Sequence, residues 1–471
     1  MKVKESNYIK NNKALFKTLS EKLNEKYEYA SVFVQDSYGK TYSASRAGLN
    51  VREQELSAVR GFVVKVLYNG AFFEYSGNDI SESLIPEILK EIDEKLVVLL
   101  KDNAFNRYEA PKDEPLTFDK STDVEVDPEE IGDAAILKRI SEVYEEGMKR
   151  DERVLNCMVS TSYKRTTNLF LSKNRDLTQN LMWSQSYVVI GAKRGEEVKS
   201  YFQSNSVLGG MELLSELDEH LDNAVKGAID LLDSEQIEPG EYECICTPET
   251  TVMIVHEAFG HGVEMDMFVK DRALAKSVVG EYVASPLVTM HDGNAIDQTA
   301  TYFFDDEGTL SEDTVIIDKG VLVRGMCDMQ SAMALNAAAT GNGRRESYKR
   351  KAYTRMTNTY FEAGTDKLED MIASIKYGFL LENPSSGMED PKNWGIQMMV
   401  NVAREIKDGK LTGKVFSPIV MTGYVPTLLK SISMVSDKAY YNGSGFCGKG
   451  YKEYVKVSDG GPYIKAKIRL G

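Results

Sequence analysis

Residues 253–264 are MIVHEAFGHGVE, and the histidine pair in this stretch is the most informative feature of the second half of the chain. His256 and His261 are two of only four histidines in 471 residues, and Glu257 directly follows the first. Two imidazoles beside one carboxylate are typical of zinc hydrolases, in which the histidines bind the metal and the glutamate acts on water. The stretch follows HExxxH, one residue longer than the common HExxH spacing.

The extra residue matters because successive helical residues advance by about 100°. Residues at i and i+4 share a face, whereas residues at i and i+5 differ by about 140°. His256 and His261 can therefore bind one metal only if the helix ends or distorts between them. Glycine adopts non-helical backbone angles at little energetic cost, so Gly260 is the predicted point of distortion. In a regular helix, Glu257 and His261 would pair instead, and no metal site would follow.

A zinc site needs a third protein ligand, and several side chains are candidates. They are Glu264, Asp266, His291 and the cysteines, among which Cys447 lies in the glycine-rich stretch 443–450, GSGFCGKG. Thiolate is a good zinc donor, although a lone cysteine in a loop is more commonly a buried apolar thiol. The other cysteines lie in apolar or strand-like surroundings, which favours core packing: Cys157, Cys244, Cys246 and Cys327.

Outward from this stretch, the hydrophobic pattern predicts an α+β protein. Residues 1–237 are predicted to be an α/β region of helix–strands–helix units, divided into 1–105 and 128–237 by a proline-containing linker at 106–127. Residues 238–471 are predicted to be a mostly antiparallel β domain that carries the HExxxH helix and the catalytic groups.

Two turns are predicted in the first unit. Asn69–Gly70 is a strong hairpin signal between two β-like runs. Asp36–Lys40, which contains Gly39, is predicted to separate the strands 29–35 and 41–45.

Composition narrows the class of protein. With 57 Lys and Arg against 72 Asp and Glu, the formal net charge is −15, which disfavours direct nucleic-acid binding. No apolar run is long enough to span a membrane, and the first residues lack the apolar core of a signal peptide. Five cysteines, an odd and small number, favour a reducing environment. We therefore expect a cytoplasmic protein that does not bind membranes.

The sequence resembles the TldD/PmbA family of metallopeptidases, and in particular its TldD branch, over essentially the whole chain. The stretches that carry the resemblance are 253–264, 304–308, 340–345, 355–360 and 446–449. Each stretch is unspecific alone, but their combination in this order is specific.

The resemblance implies a zinc ion bound by His256, His261 and Cys447, with Glu257 as general base. It implies hydrolysis of unfolded or small peptides. It also implies a dimer, either a homodimer or a heterodimer with a TldE/PmbA-like subunit, in which this chain would be the active partner. Whether cleavage is internal or terminal, and which peptide is the physiological substrate, stays open.

Three further side chains are candidates for substrate binding. Arg344 and Arg345 are suited to gripping a peptide carboxylate, because a guanidinium binds carboxylates with two hydrogen bonds. Asn358, beside β-like residues, is suited to hydrogen bonding with a peptide backbone. A solvated basic turn is an equally simple interpretation of the two arginines.

Two other functions compete with the peptidase hypothesis. One is a thiol hydrolase with Cys447 as nucleophile and a histidine as base, which leaves Glu257 without a role. The other is a non-catalytic assembly or binding subunit with a structural zinc, which would need four protein ligands. Two histidines and one cysteine leave a position open, and this favours catalysis.

Overall fold

The structure is a computed structural model and describes residues 1–53, 59–99, 107–449 and 453–471. Its first half forms one sheet in the order β4-β3-β1-β6-β7-β5, with β2 added to β1 and β8 added to β7. The strands are β1 (Tyr29–Ser45), β2 (Gly48–Glu53), β3 (Val59–Tyr68), β4 (Ala71–Gly77), β5 (Leu116–Ser121), β6 (Val154–Leu171), β7 (Arg175–Arg194) and β8 (Glu197–Val207). Within the described ranges, its strands pair antiparallel except for β5, which runs parallel to β7.

Four helices cover one face of this sheet: α1 (Asn7–Asn24), α2 (Leu84–Leu99), α3 (Pro128–Gly147) and α4 (Leu217–Leu231), the last preceded by a 3₁₀ turn at Met211–Glu216. Capping fixes where two of them begin, since Ser6 accepts hydrogen bonds from the first turn of α1 and Asp127 from that of α3. The predicted helix–strands–helix units are thus confirmed, and both contribute to a single sheet.

Alternation along β1 separates the two faces of the sheet. Val32 and Val34 pack with α1 and α2, and Tyr42 packs with α3 and α4. Phe33 points the other way and packs against Phe304 of the second half. The helices therefore cover one face, and the second half of the chain covers the other.

The second half is mostly antiparallel β-structure, as predicted. Its main sheet has the order β12-β11-β10-β15-β23-β19-β17-β16-β9, and β23 also pairs with β9, so five strands close into a ring. The strands are β9 (Gly240–Cys246), β10 (Met290–Gly293), β11 (Asp313–Asp318), β12 (Val321–Leu322), β13 (Gly343–Arg344), β14 (Tyr353–Thr354), β15 (Asn358–Phe361), β16 (Tyr377–Asp390), β17 (Gly395–Lys407), β18 (Lys410–Phe416), β19 (Ile419–Tyr424), β20 (Met434–Asn442), β21 (Phe446–Lys449), β22 (Glu453–Lys456) and β23 (Ser458–Leu470).

Short helices fill the connections of the second half. They are α5 (Pro248–Met253), a π-helical turn (Ile254–Gly260), a 3₁₀ turn (His261–Val263), α6 (Met265–Val269), a 3₁₀ turn (Leu274–Val278), α7 (Met329–Leu335), α8 (Leu368–Ala373) and α9 (Val425–Lys430). In the described part of the chain, no helix is long and apolar enough to cross a membrane.

Two local predictions differ from the structure. Strand β1 runs straight through Asp36–Lys40, so the predicted turn is wrong. Gly39 is needed there because a Cβ would lie 2.2 Å from the Tyr163 carbonyl oxygen of the neighbouring strand. The predicted linker 106–127 contains strand β5, and its first residue lies outside the described residues. The hairpin at Asn69–Gly70 is confirmed, with φ of 49° and 78°.

The two sheets do not share strands. The first uses residues before 208 and the second uses residues after 239, so the predicted division at 237 and 238 falls between them. That division into two domains stays a prediction.

Candidate metal centre

A π-helical turn brings the two histidines together. Ile254–Gly260 is π-helical, and the backbone amide of His261 donates a hydrogen bond to the carbonyl oxygen of His256, five residues earlier. Because a π-helix closes its hydrogen bonds over five residues instead of four, residues i and i+5 come into line. The two imidazole rings lie 5.1 Å apart, nearly perpendicular. The longer HExxxH spacing is therefore matched by a longer helical turn.

Gly260 was predicted to distort the helix by adopting non-helical backbone angles, and this prediction is wrong. Its φ and ψ are −57° and −54°, which are ordinary helical angles that any residue adopts. A Cβ at this position would lie 2.3 Å from the sulfur of Met356. Gly260 is therefore needed for close packing, and the distortion of the helix comes from the π turn.

Cys447 reaches the histidines from a distant part of the chain. It lies on β21, which forms a hairpin with β22, and the last residue of its glycine-rich stretch, Gly450, is outside the described residues. Its Sγ lies 3.3 Å from Nε2 of His261. The donor atoms of His256, His261 and Cys447 all lie within 4.8 Å of one another. Two imidazole nitrogens and a thiolate at this spacing fit zinc.

Two buried carboxylates hold the imidazole rings. The Nδ1 of His256 lies 3.1 and 3.2 Å from the two carboxylate oxygens of Asp459, and Nδ1 of His261 lies 3.0 Å from Oε2 of Glu264. Histidines that bind metals usually donate their other ring N–H to such a partner. Both Nε2 atoms are thereby left to face the centre. Glu264, a candidate ligand in the sequence, is instead a partner of His261, and Asp459 was missed because no local pattern marks it.

A pair of cations holds Glu264 and the loop of Cys447. Lys449 Nζ lies 3.0 Å from Oε2 of Glu264, and Arg355 Nε lies 3.6 Å from Oε1. Arg355 also donates to the carbonyl oxygens of Cys447 and Glu453, each at 2.7 Å. Since Arg355 is almost fully buried, it fixes the Cys447 hairpin against the histidine helix.

The charges of the three donors are coupled. Burial by itself would lower the pKa of His256, but Asp459 and Cys447 raise it well above its ordinary value. Burial likewise opposes a charge on His261, yet Glu264 and Cys447 raise its pKa to about 10. Burial disfavours ionisation of Cys447, but the positive charges of both histidines hold the pKa of its thiol well below the usual range. The two imidazoles therefore favour the thiolate form of Cys447, which is the form that binds metals.

Glu257 lies beside the three donors and is not one of them. Among the described residues it makes no hydrogen bond or ion pair, and it lines an open cleft of about 830 Å³, here called the metal cleft. Burial raises the pKa of its carboxyl, while the two histidines oppose that shift. On the facing strand β16, a Cβ on Gly387 would lie only 2.6 Å from Glu257 Cγ. Glu257 is thus free of structural partners but confined in position.

A second carboxyl in the metal cleft, Glu389 at the end of β16, was missed by the sequence analysis. Both of its oxygens are buried and have no hydrogen-bond partner in the described part of the chain. Burial raises its pKa well above the ordinary value, while His261 opposes the shift. A Cβ added to Gly262 would lie 2.8 Å from one Glu389 oxygen. This carboxyl therefore lies next to the histidine helix. No motif surrounds it, so nothing in the sequence would have identified it.

The three residues predicted to bind substrate each have partners within the chain, and their role in substrate binding stays a prediction. Asn358 is fully buried and donates to the Gly293 carbonyl oxygen at 2.7 Å. Arg345 binds Glu74 and the carbonyl oxygen of Arg350. Arg344 donates to the carbonyl oxygen of Met356 at 2.6 Å. Asn358 and Arg345 therefore hold loops together and do not reach the metal cleft.

The remaining metal-ligand candidates lie elsewhere or have other partners. His291 lies between Asp313 and Glu362, at 3.0 and 2.9 Å, and stacks on Tyr360. Asp266 pairs with Lys449 and Lys270. The other four cysteines are buried, and burial raises the pKa of each: Cys157, Cys244, Cys246 and Cys327.

Comparison with known proteins follows the same division of the chain. Residues 239–468 match the sequence profile of the PmbA/TldA metallopeptidase C-terminal domain. The chain is 34% identical over 254 residues to a metalloprotease TldD homolog from Buchnera aphidicola, covering 53% of this chain and 52% of that protein. It is 28% identical over 308 residues to a zinc metalloprotease TldD homolog from Saccharolobus solfataricus, covering 64% of this chain and 68% of that protein. The chain thus spans about half the length of the first relative and about two thirds of the second.

The fold extends the similarity along the whole chain. TldE from Thermococcus kodakarensis superimposes with a TM-score of 0.77, covering 96% of this chain and 99% of that one at 17% identity. This likeness shows the fold alone. The profile shows that residues 239–468, the half of the chain that contains HExxxH, belong to the PmbA/TldD family, and the names of the relatives agree with it.

Proposed function

We propose that this protein is a zinc-dependent peptidase that hydrolyses unfolded or small peptides. One observation carries the proposal: three metal donors converge within 4.8 Å beside a carboxylate, Glu257, that has no structural partner among the described residues. The names of the relatives, which include a metalloprotease and a zinc metalloprotease, support the same class of reaction.

The donor set suits a catalytic metal. Within the described residues, His256, His261 and Cys447 are the group that could hold an ion, and three protein ligands leave one position of a tetrahedron open. Bound there, zinc would polarise a scissile carbonyl and lower the pKa of a water to about 7.

The residues of the chain have distinct tasks in this mechanism. Asp459 and Glu264 orient the imidazoles and fix which ring nitrogen faces the centre. Glu257 accepts the proton of the attacking water and passes it to the departing amine. Because burial raises its pKa toward neutrality, Glu257 is suited both to accept and to return that proton.

The metal cleft suits an extended peptide. Its wall includes Gly387, Met388 and Glu389, which belong to the end of β16. In the described part of the chain, this end of β16 pairs with β17 on one side only, so its other edge is free toward the cleft. We infer that a substrate strand hydrogen-bonds to this edge, a mode that requires an unfolded segment and tolerates many sequences.

Substitution of Glu257 tests the proposal. Like the wild type, a Glu257→Gln variant should bind about one zinc per chain, but it should lose hydrolysis of unstructured peptides by about 10²–10⁴-fold, the usual contribution of a general base. Glu281→Gln, the same change at an exposed glutamate far from the cleft, is the matched control and should keep full activity. Hydrolysis at the wild-type rate by zinc-loaded Glu257→Gln would remove the proposal.

A second candidate function rests on the contact between Cys447 and His261. A thiolate 3.3 Å from an imidazolium is also the arrangement of a cysteine hydrolase. The two functions respond differently to inhibitors. Peptidase activity that a chelator abolishes and added zinc restores would support the metal, whereas activity that survives chelation but is lost on alkylation would support the thiol.

The quaternary state is a separate part of the proposal. A homodimer, or a heterodimer with a TldE/PmbA-like subunit, stays a prediction. Light scattering on the purified chain, alone and mixed with a candidate subunit, measures it directly.

A further inference from the structure

A second cavity, of about 130 Å³, lies between the two halves of the chain, and we call it the inner cavity. Its floor is the face of the first sheet that the helices leave uncovered, and includes Gln35, Lys164 and Asn168. This face is polar at these positions, unlike the apolar face beneath the helices. Phe446 and Tyr454 line both the inner cavity and the metal cleft, so they form the wall between the two spaces.

Two lysines in the inner cavity have no carboxylate partner among the described residues. Lys456 is 7% exposed, donates to Oε1 of Gln185 and lies 4.4 Å from the ring centre of Trp183. Lys164 makes no hydrogen bond or ion pair in the described ranges; burial lowers its pKa to about 8, and the charge of Asp306 opposes that shift. Burial also lowers the pKa of Lys456 well below its ordinary value. An unpaired ammonium group is costly to bury, so each lysine favours an anion nearby.

Two carboxylates, against four cationic side chains, line the inner cavity. Asp306 accepts a hydrogen bond from the backbone amide of Arg345, and Glu346 pairs with Arg350. Arg344 and Arg345 are the other two cations at the wall: Arg344 lies 5.4 Å from the ring centre of Tyr302, and Arg345 pairs with Glu74. The cavity therefore carries a local excess of positive charge within a chain whose net charge is −15.

Two amide oxygens in the same cavity also have no partner. In the part of the chain that the structure describes, Gln35 Oε1 and Asn168 Oδ1 are buried without a hydrogen bond, and the two residues are 8% and 6% exposed. Their neighbour Gln179, by contrast, uses both ends of its amide on the backbone of residues 303 and 304. Buried acceptors without donors destabilise a protein. A ligand that brings N–H groups would satisfy them.

The size of the inner cavity limits the ligand. A cavity of about 150 Å³ holds a molecule the size of benzene, so 130 Å³ is room for one small amino-acid residue. Cationic donors together with unpartnered acceptors are the complement of a carboxylate that has an N–H group beside it.

We propose that the inner cavity binds an α-carboxylate with an adjacent N–H donor, through Lys164, Lys456, Gln35 and Asn168. Two sources share this chemistry. One is the C-terminal residue of a peptide that enters past Phe446 and Tyr454, and this source rests on the proposed peptidase function. The other is a free amino acid, which does not depend on that function.

Binding can be measured without any hydrolysis. The chain has two tryptophans, and one of them, Trp183, lines the inner cavity, so its fluorescence reports occupancy. Zinc-loaded wild-type protein should bind N-acetylglycine saturably but not N-acetylglycinamide, which lacks the carboxylate. Binding of N-acetylglycine alone assigns the site to a peptide end, and binding of glycine as well assigns it to free amino acids. Binding of neither acid overturns the proposal.

A matched pair of variants locates the site. Lys164→Met should weaken N-acetylglycine binding about tenfold or more, the usual effect of one charged hydrogen bond. Lys173→Met, at an exposed position in the turn between β6 and β7, should leave it unchanged. Because Lys164 makes no hydrogen bond or ion pair within the described ranges, its variant should unfold at the same or a higher temperature. If binding of N-acetylglycine is unchanged in Lys164→Met but is lost when zinc is removed, the ligand binds to the metal. That result would overturn the proposal.

The peptide source makes one additional prediction. If the wild type hydrolyses peptides, those with a free C-terminus should be cleaved faster than their amides, and Lys164→Met should reduce that preference. Hydrolysis without any such preference overturns the peptide source. Specific binding of N-acetylglycine in a protein that hydrolyses nothing would remove the proposed function while the inner cavity stays a carboxylate site.

Discussion

Gly387→Ala is the sharpest test of how Glu257 is positioned. Gly387 lies on β16 opposite the histidine helix, and an added Cβ would lie 2.6 Å from Glu257 Cγ. Ordinary contact begins at 3.4 Å, so the glutamate would have to move by about 1 Å. The backbone at Gly387 has no positive φ, and alanine is therefore tolerated by the chain itself.

The expected size of the effect follows from that displacement. A misplacement of about 1 Å in a catalytic group costs about 10²-fold in rate, which is about 2.7 kcal/mol of transition-state stabilisation. Zinc content should stay at the wild-type level, because none of the three donors contacts the new methyl group. The assay is kcat/KM on an unstructured peptide, with metal content measured on the same sample.

The control for this prediction is Gly395→Ala. Gly395 lies at the start of the adjacent strand β17, and a Cβ there meets nothing within 4 Å. This variant should keep its activity within about twofold, as surface substitutions usually do. Wild-type kcat/KM in Gly387→Ala, with zinc bound, would refute the assignment of Glu257 as a confined general base.

Three further predictions test the surroundings of the site. Asp459→Asn should weaken zinc binding about 10–100-fold in a chelator competition, because it removes the carboxylate that orients His256, whereas Asp297→Asn at an exposed site should have no effect. Although burial opposes it, Arg345 helps to hold the pKa of Glu74 at about 2, so this carboxyl contributes stability above pH 4.5 that is lost as the pH falls toward 2. Urea unfolding should then show Glu74→Gln less stable than the wild type by about 3 kcal/mol at pH 7, and a difference independent of pH would contradict this. In metal-free protein, iodoacetamide should modify Cys447 before the other four cysteines, because Cys447 is the one of the five whose pKa is lowered. Bound zinc should protect Cys447 from this reaction. Mass spectrometry of the digested protein identifies the modified cysteine.

Local features of this protein were predictable from the sequence. The hairpin at Asn69–Gly70 and helix α3, which begins at Pro128, follow from turn chemistry and from the positions that proline prefers. His256 and His261 were candidates for a metal pair from their residue types, but their spacing left an ordinary helix equally possible, and the family resemblance favoured the metal. The third donor, Cys447, came from the family resemblance, because nothing in its own surroundings separates it from a buried thiol.

The sequence by itself determined the periodic elements and the residues with metal-binding chemistry, because propensity and spacing act over a few neighbouring positions. Only the tertiary structure decided how those residues meet. The π turn that aligns the histidines depends on packing, and Asp459 joins His256 across 203 positions. The inner cavity likewise exists only where the polar face of one sheet is covered by the other half of the chain. Such contacts are set by which faces pack together, and a one-dimensional pattern does not contain that information.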